Sequence, residues 1–453
     1  MLKKEDNEIV TRVGPGTPMG NLMREYWIPA LLADELPEVD GEPMRVRLLG
    51  EDLVAFRDSS GDVGIVGERC PHRGASLFFG RNEEGGLRCI YHGWKFDKTG
   101  QCVDMPNEPA ATCFKDRVKH AAYPTQHRNG VVWVYMGKRE VPPPLPDLEW
   151  NLTAGNVPHM WKFVRECNWL QVMEGAMDTA HAPFLHGHVD IRETAAGAGT
   201  TPDARAPDDV NSLSATTRDM APTLQVMDTD YGVLYSGIRR YDEENLYHRI
   251  HPYLFPFYTL ISARQDAMSP YTAQAWIPID DENTLVLEII YRPEKPWNEP
   301  ELKQLDDARN PHGFMPRTPA AWSQYRLAAN QDNDYKRDYQ LQKTTFFAGI
   351  VSNVVQDSAV QESMGPICAR WNEHLGSTDA MIIRVRRRLI AEARALAETG
   401  APPPAAYQPE LYRIRPQGVI LPKEEADWLG VTVERRKAFY VEQGTSAPVA
   451  NET

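Results

Sequence analysis

Two short loops that each carry a cysteine and a histidine restrict the fold of this chain more than any other part of its sequence. Cys70 and His72 lie in Cys-Pro-His-Arg-Gly, Cys89 and His92 lie in Cys-Ile-Tyr-His-Gly-Trp, and residues 73–88 separate the two loops. Each loop lies between short runs of β-type residues and offers one thiolate and one imidazole. The fold must therefore bring two β turns together so that four metal ligands meet.

Spacing alone leaves two identities open for this centre. Two thiolates and two imidazoles suit a tetrahedral zinc ion, and they also suit a [2Fe-2S] cluster in which two cysteines hold one iron and two histidines hold the other. The loops differ in spacing, Cys-x-His against Cys-x-x-His, whereas zinc ribbons more usually repeat one spacing in both halves. Two neutral imidazoles in place of thiolates raise the potential of a cluster, which suits electron transfer from a ferredoxin or a flavin.

A second group of candidate metal ligands lies in residues 167–186. Asp178 and His181 are three residues apart, so they share one face of a helix. Pro183 interrupts that helix and allows His186 to turn back towards His181. Two imidazoles and one carboxylate form the facial triad that binds Fe(II) and leaves coordination positions open.

The third ligand of such a triad must come from a distant part of the chain. The segment VVQDSAVQESMGPI, residues 354–367, offers Asp357 and Glu362 as carboxylates. The residues themselves do not decide between the two.

Both groups of residues resemble motifs of the Rieske non-haem iron oxygenases. The first group resembles the Rieske [2Fe-2S] signature. The segment that starts at Asn168 reads N-W-x4-E-x3-D-x2-H-x4-H and resembles the mononuclear-iron motif of the family, whereas His188 breaks its four-residue gap. The resemblance covers nearly the whole chain and is strongest to the phthalate dioxygenase group, as in TRVGPGTPMGNLMREYWIPA and QDSAVQESMGPI.

The resemblance implies the ligands of two metal centres. A [2Fe-2S] cluster is assigned to Cys70, His72, Cys89 and His92. Fe(II) is assigned to His181, His186 and Asp357. We favour Asp357 over Glu362 because family members place an aspartate at the start of a helix in this region, and a glutamate there is otherwise read as a helix-surface charge.

The resemblance also implies how electrons reach the iron. It implies a homotrimer, or stacked trimers, in which head-to-tail contacts bring the cluster of one subunit beside the iron of the next. Asp178 is then a bridge between His181 and His92 of the partner subunit rather than an iron ligand. No nucleotide or flavin motif is evident in the sequence, so we expect a separate NAD(P)H-dependent reductase of the flavin and ferredoxin type.

The implied function is that of the oxygenase component of a multicomponent Rieske oxygenase, which uses O2 to hydroxylate a phthalate-like aromatic carboxylate. The alternative is an O-demethylating monooxygenase that acts on a methoxylated, lignin-derived aromatic acid. A Rieske-type electron carrier is a remote third reading, because it leaves the second histidine motif unexplained. A carboxylate substrate needs a cationic partner, for which the candidates are Arg218, in a segment similar to a carboxylate anchor of phthalate-type relatives, and Arg249, which precedes an aromatic strand.

The expected fold class is α+β, with an all-β Rieske domain and a C-terminal catalytic domain of antiparallel sheet and helices of the helix-grip type. The predicted boundaries place a helical lead-in at 1–34, the Rieske domain at 35–140, the catalytic domain at 141–446 and a disordered tail at 447–453. The boundary near 141 follows from the proline-rich stretch VPPPLPD. Within the second domain, 167–186, 320–345 and 377–399 are predicted helical.

Composition excludes several other classes of protein. The net charge of −14 leaves no electrostatic footprint for nucleic acid, and the basic run from Arg384 to Arg388 is predicted to be a solvated or subunit-facing stripe. No apolar stretch suits a signal peptide or a membrane span, which predicts a soluble, cytoplasmic protein. Six cysteines without an export signal indicate reduced thiols or metal ligands rather than disulfides.

Overall fold

The computed structural model describes residues 2–153, 158–189, 219–262, 270–293 and 296–438. Two helices begin this part of the chain, α1 (Lys4–Thr11) and α2 (Pro18–Arg24). Thr17 caps α2 by accepting a hydrogen bond from the Gly20 amide, and Pro18 occupies the first turn, where no amide donor is needed. The helix ends at Arg24, earlier than the sequence suggests, because the segment from Trp27 onwards is a buried strand.

The first half of the chain is built from three small antiparallel sheets. Its strands are β1 (Trp27–Leu32), β2 (Met44–Leu48), β3 (Glu51–Arg57), β4 (Val63–Gly67), β5 (Arg81–Glu83), β6 (Gly86–Arg88), β7 (Lys95–Phe96), β8 (Cys102–Asp104), β9 (Ala122–Tyr123), β10 (Thr125–Arg128) and β11 (Val131–Tyr135). The sheet orders are β1-β11-β10, β2-β3-β4-β9 and β5-β6-β7-β8. The first cysteine–histidine loop connects β4 to β5, which belong to two different sheets, and the second loop connects the paired strands β6 and β7.

The second half of the chain is organised around one large antiparallel sheet. Its strands are β12 (His159–Arg165), β13 (Thr223–Thr229), β14 (Gly232–Arg240), β15 (Asn245–Leu254), β16 (Tyr258–Ser262), β17 (Tyr271–Pro278), β18 (Thr284–Tyr291) and β19 (Gln417–Pro422). The order is β12-β18-β17-β16-β15-β14-β13, and β19 also pairs with β15. The chain is thus α+β, as the sequence predicts.

Helices precede, interrupt and follow these strands in the sequence. They are α3 (Glu149–Leu152), α4 (Trp169–Met177), α5 (Ala182–Leu185), α6 (Glu299–Arg309), α7 (Tyr339–Thr344), α8 (Asn353–Ser363), α9 (Ala380–Thr399), α10 (Pro404–Tyr407) and α11 (Trp428–Val431). Helix α4 packs on β16 and β17, and α8 packs beside α4. The predicted helix over 377–399 is confirmed as α9, which ends at Gly400 in the left-handed conformation.

The predicted helix over 320–345 is wrong. Trp322, Asp334, Tyr335 and Lys336 have positive φ, which breaks the chain into short 3₁₀ turns, and the α-helical part is limited to α7. Local hydrogen bonds of Asn330 and Asn333 with neighbouring backbone groups stabilise these turns in competition with a helix.

The register of the sheet decides which side chains lie beneath α4. Tyr235 of β14 lies opposite His251 of β15, and Arg239 lies opposite Tyr247, so these positions and Arg249 project from one face. The Tyr235 hydroxyl donates a 2.7 Å hydrogen bond to the carbonyl of Met177, the last residue of α4. This face is therefore the one that the end of α4 covers.

The β region and the large sheet pack directly on each other. The amides of Leu49 and Gly50 donate hydrogen bonds of 2.9 and 2.8 Å to the carbonyls of Pro278 and Ile279. Lys162 of β12 forms a buried ion pair with Glu35, which lies just after β1. Within the described ranges, no helix is both long and apolar enough to cross a membrane.

Candidate metal centres

The two cysteine–histidine loops have the same backbone design. The Gly74 amide bonds the Cys70 carbonyl at 2.8 Å, and the Gly93 amide bonds the Cys89 carbonyl at 2.9 Å. Gly74 and Gly93 close these turns with φ of 76° and 79°, a conformation that residues with a Cβ rarely adopt. Each turn therefore folds its cysteine and histidine towards the other loop.

The side chains of the loops separate into a thiol pair and an imidazole pair. Cys70 and Cys89 are each 2% exposed, and their thiols contact each other. The rings of His72 and His92 lie 4.3 Å apart between centroids, and His72 stacks on Trp94 at 4.5 Å. This separation of thiols from imidazoles is the arrangement that a [2Fe-2S] cluster needs when two cysteines hold one iron and two histidines hold the other.

The protonation and bonding of these groups fit a metal cluster. Within the described residues, Nδ1 of His72 is buried and has no hydrogen-bond partner, as expected of a nitrogen that serves as a ligand. Burial, followed by the charges of His72 and Arg73, lowers the pKa of His92, which favours the neutral ring that binds metal. Burial raises the pKa of Cys70 to about 11, so the thiolate here needs the compensation that a metal supplies.

A break between α4 and α5 shapes the second centre. Asp178 follows α4 in an extended conformation, and Pro183 occupies the first turn of α5. His181 precedes α5 and His186 follows it, so one helical turn separates the two rings. Their Nε2 atoms lie 3.1 Å apart.

Asp357 of α8 completes a compact group of donors with these histidines. Its Oδ1 lies 3.6 Å from Nε2 of His186 and 4.0 Å from Nε2 of His181. Across the described residues, these three form the one cluster of three or more candidate ligand groups whose donor atoms all lie within 4.8 Å of one another. Such a set suits a facial triad for Fe(II).

Glu362 and His188 lie in other surroundings. Glu362 accepts a 2.7 Å hydrogen bond from the Tyr335 hydroxyl and a 3.1 Å hydrogen bond from the Glu166 amide. His188 packs on Phe346 at 5.4 Å between ring centroids. The geometry therefore favours the predicted choice of Asp357 and His186.

Asp178 contacts His181 on the side of the ring away from Asp357. Its Oδ2 lies 3.4 Å from Nδ1 of His181, and its Oδ1 accepts a 2.7 Å hydrogen bond from the Ala180 amide. Burial is the largest influence on the pKa of Asp178 and would raise it, but the bond to His181, the charge of His181 and the backbone amides of Ala180 and His181 together keep the pKa below its usual value. An ionised carboxylate in this position fixes the ring so that Nε2 faces the triad.

Comparison with known proteins agrees with both centres. A sequence profile described as "Rieske [2Fe-2S] domain" matches residues 26–115, and one described as "LigXa C-terminal domain like" matches residues 134–446. The 3-chlorobenzoate-3,4-dioxygenase oxygenase subunit of Comamonas testosteroni is 41% identical over 94% of this chain and 97% of its own length. The chain belongs to the Rieske non-haem iron oxygenases.

Other relatives are similar over most of their lengths. The phthalate 4,5-dioxygenase oxygenase subunit of Pseudomonas putida is 36% identical over 88% of both chains, and the 5,5'-dehydrodivanillate O-demethylase oxygenase subunit of a Sphingobium strain is 30% identical over 97% of this chain and 91% of its own. The crystal structure of dicamba monooxygenase bound to dicamba shares the fold, with a TM-score of 0.57 at 18% identity over 83% of this chain and 99% of that chain.

The chain is thus the oxygenase component of a Rieske oxygenase, with a [2Fe-2S] cluster and Fe(II) as its cofactors. The described residues fit both groups. Cys70, His72, Cys89 and His92 would hold the cluster, and the facial group at Asp357 would hold the iron. These assignments of individual ligands remain our proposal.

A buried ion network anchors α4, the helix that precedes the proposed iron-binding histidines of this Rieske oxygenase. Glu174 of α4 is paired with Arg370 at 3.1 Å and with Arg386 at 2.6 Å, and both guanidinium groups are almost fully buried. Arg386 also pairs with Glu373 at 2.5 Å, and Arg370 donates to Asn7 of α1. The prediction of a solvated arginine stripe is thus wrong for Arg386, because its position on α9 faces Glu174.

A pair of arginines lies next to the iron site on the sheet. Arg239 donates hydrogen bonds of 2.5 and 3.1 Å to the carbonyl and hydroxyl oxygens of Thr179, and Arg249 donates to the same hydroxyl at 3.3 Å. Arg218, the other predicted carboxylate anchor, lies outside the described residues. Sequence reasoning missed Arg239 and Thr179, although the alternation of β14 places Tyr235 and Arg239 on one face.

The ligand assignment predicts different behaviour for the two carboxylates of α8. We expect Asp357→Asn to reduce bound mononuclear iron at least about tenfold, because an amide is a poor ligand for Fe(II). Glu362→Gln should retain wild-type iron, since Glu362 bonds Tyr335 and Glu166 instead. Iron analysis after gel filtration checks this, with the Rieske spectrum as the control for folding. Loss of iron in Glu362→Gln and not in Asp357→Asn would reverse the assignment.

Proposed function

We propose that this Rieske oxygenase hydroxylates an aromatic carboxylate, phthalate-like in its acid group, with O2 and with electrons from a separate NAD(P)H-dependent reductase of the flavin and ferredoxin type. The observation that carries the proposal is Arg249, a cation within electrostatic range of His181 and His186 whose buried Nε has no hydrogen-bond partner among the described residues. When bound, the Fe(II) supplies oxygen activation, and the residues of this chain hold the substrate and exclude water.

Arg249 is placed to meet a substrate that enters the iron site. Burial lowers the pKa of His186, whereas the pKa of His181 is raised because its carboxylate neighbours together outweigh burial. The charge of Arg249 opposes protonation of both rings as the smallest of the named influences, so the guanidinium lies within electrostatic range of the triad. Its Nε is buried and, among the described residues, has no hydrogen-bond partner. A planar substrate carboxylate can accept a charge-assisted hydrogen bond from this Nε.

Arg239 strengthens the preference for an anion. Burial, followed by the charge of Arg249, lowers the pKa of Arg239 to about 10, so the two cations repel each other. In the described part of the chain, no carboxylate forms an ion pair with either one. A substrate carboxylate would relieve this repulsion. Arg218, the first candidate from the sequence, lies outside the described residues and remains a candidate for the same anchor.

The names of three relatives that match most of this chain support an acid substrate. Two relatives are named for 3-chlorobenzoate and phthalate, and a third is named a 5,5'-dehydrodivanillate O-demethylase. The third name favours the alternative reading for this chain, oxidative removal of a methyl group from a methoxylated aromatic acid. Both reactions use the same two metal centres and the same carboxylate anchor.

We also propose the trimer, or stacked trimers, that the family resemblance implies. Ile90 and Tyr91, beside His92, are 63% and 54% exposed, and Phe184 and Phe347 near the iron site are 41% and 46% exposed. Apolar surfaces at both centres suit burial between subunits. Asp178 would then bond His181 on one side and His92 of the partner subunit on the other.

A substrate panel tests the proposed reaction. Benzoate, phthalate and methoxybenzoates are supplied to the loaded enzyme with a compatible reductase, and hydroxylated product is assayed beside formaldehyde. We expect hydroxylated acids from the wild type, and we expect Arg249→Gln to raise KM about 30-fold, since one charge-assisted hydrogen bond contributes about 2 kcal/mol. Neutral benzamides should be poor substrates of both proteins. Formaldehyde without ring hydroxylation would select the demethylase reading, and an unchanged KM in Arg249→Gln would reject the anchor.

Replacement of Asp178 by asparagine tests the electron bridge. The amide keeps the shape of the carboxylate but removes the charge that orients both imidazoles. We expect iron to stay bound and the reductase to reduce the cluster normally, while product formation falls about 10- to 100-fold. Stopped-flow absorbance that follows cluster reoxidation with substrate and O2 measures the step. Fast reoxidation in this variant would show that the bridge is wrong, and loss of iron would make Asp178 a ligand.

A further inference from the structure

A buried glutamine contacts the iron-site histidine that Asp178 does not touch. Gln356 lies on α8 directly before Asp357 and is 2% exposed. Its Oε1 lies 2.7 Å from Nδ1 of His186, and its Nε2 lies 2.7 Å from the carbonyl oxygen of Ile350. The side chain thus joins the iron site to the backbone that leads into α8.

The chemistry of these two contacts fixes the direction of each hydrogen bond. The Ile350 carbonyl can only accept, so the amide nitrogen of Gln356 must face it. The amide oxygen must therefore face His186, and because that oxygen can only accept, Nδ1 of His186 must carry the hydrogen. The remaining nitrogen, Nε2, then has a free lone pair and lies on the side of His181 and Asp357.

We propose that Gln356 is the positioning residue of the iron-site His186, which it holds in the one tautomer and ring orientation that present Nε2 to the metal. The proposal concerns metal binding, and it holds whichever substrate the enzyme takes. Since the Ile350 bond fixes the amide, rotation of the imidazole would break a hydrogen bond in a site where Gln356 is enclosed.

The two histidines of the triad are then held by unlike partners. His181 has a carboxylate behind it, Asp178, and His186 has a neutral amide. A neutral partner orients the ring without adding a further negative charge beside Asp357. Asp178 thus orients His181 and adds a negative charge, whereas Gln356 orients His186 without adding a charge.

Three variants of the full-length, cluster-containing protein test this role. Gln356→Leu keeps the size of the side chain and removes the acceptor. Gln356→Glu keeps an acceptor for Nδ1 but cannot donate to Ile350. Gln361→Leu is the matched control, because Gln361 is a buried glutamine of the same helix whose side-chain oxygen has no hydrogen-bond partner in the described residues.

Iron retention in competition with a ferrous chelator is the main measurement, and the ligand-field spectrum of the cobalt(II)-substituted site is the second. We expect Gln356→Leu to bind iron about 10- to 100-fold more weakly and to shift the cobalt spectrum, as loss of a partner behind a metal-binding histidine does. Gln356→Glu should restore affinity to within about threefold of the wild type, and Gln361→Leu should match the wild type. The Rieske absorption spectrum should be the same in all four proteins.

Three results would overturn the proposal. Wild-type iron affinity and cobalt spectrum in Gln356→Leu would show that His186 needs no such partner. Equal weakening in Gln361→Leu would assign the loss to general damage of α8. Loss of iron in Gln356→Glu as severe as in Gln356→Leu would place the effect in the Ile350 bond and not in the acceptor that faces His186.

Discussion

The carboxylate of Glu174, buried between two guanidinium groups, is the interaction on which the catalytic half of the molecule depends. It joins α4 to α9 through Arg386 and to the segment after α8 through Arg370, and Arg370 reaches α1 through Asn7. Removal of one partner from such a buried pair leaves an uncompensated charge and typically costs about 3–5 kcal/mol. Because α4 ends at Met177, directly before Asp178 and four residues before His181, this network also fixes the start of the segment that carries the proposed iron ligands. The glutamate of the N-W-x4-E-x3-D-x2-H-x4-H motif thus has a physical role in the fold.

The electrostatic design of the iron site follows from the elements that surround it. Negative groups lie around the proposed iron site, since Asp178 directly follows α4 and Asp357 lies within α8. Positive groups, Arg239 and Arg249, come from the sheet below, where the proposed anionic substrate needs them. Thr179 links the two layers, since it follows Asp178 in the chain and accepts hydrogen bonds from both arginines.

Local spacing made much of this site predictable from sequence. The four metal-binding candidates of the two loops lie close together in the sequence, and so do His181 and His186. Their role as metal ligands can therefore be predicted before the fold is known. Asp357 required the family resemblance, because Glu362 offers the same carboxylate a turn later. The α+β class and the large antiparallel sheet followed from the alternation of apolar runs, whereas the region 320–345 did not, because its left-handed residues depend on hydrogen bonds around Asn330 and Asn333.

The contacts that sequence reasoning missed are long-range. Glu174 and Arg386 are 212 residues apart, and His186 and Gln356 are 170 residues apart. A basic run in a sequence predicts arginines that are exposed to solvent. Arg386 is buried instead, because the carboxylate of Glu174 on another helix pairs with it. The sequence around Gln356 does not predict a role in metal binding, because its contact with Nδ1 of His186 exists only in the folded chain.

Metal and sulfide analysis of the purified chain, joined to electron paramagnetic resonance, tests the central claim of two separate centres most directly. We expect the two irons and two sulfides of one cluster plus one further iron per chain, with a Rieske-type signal after reduction. In His181→Ala or His186→Ala, the further iron should be lost while the signal of the cluster persists. Zinc in place of the cluster, no Rieske-type signal after reduction, or full iron content and turnover in either histidine variant would contradict the account.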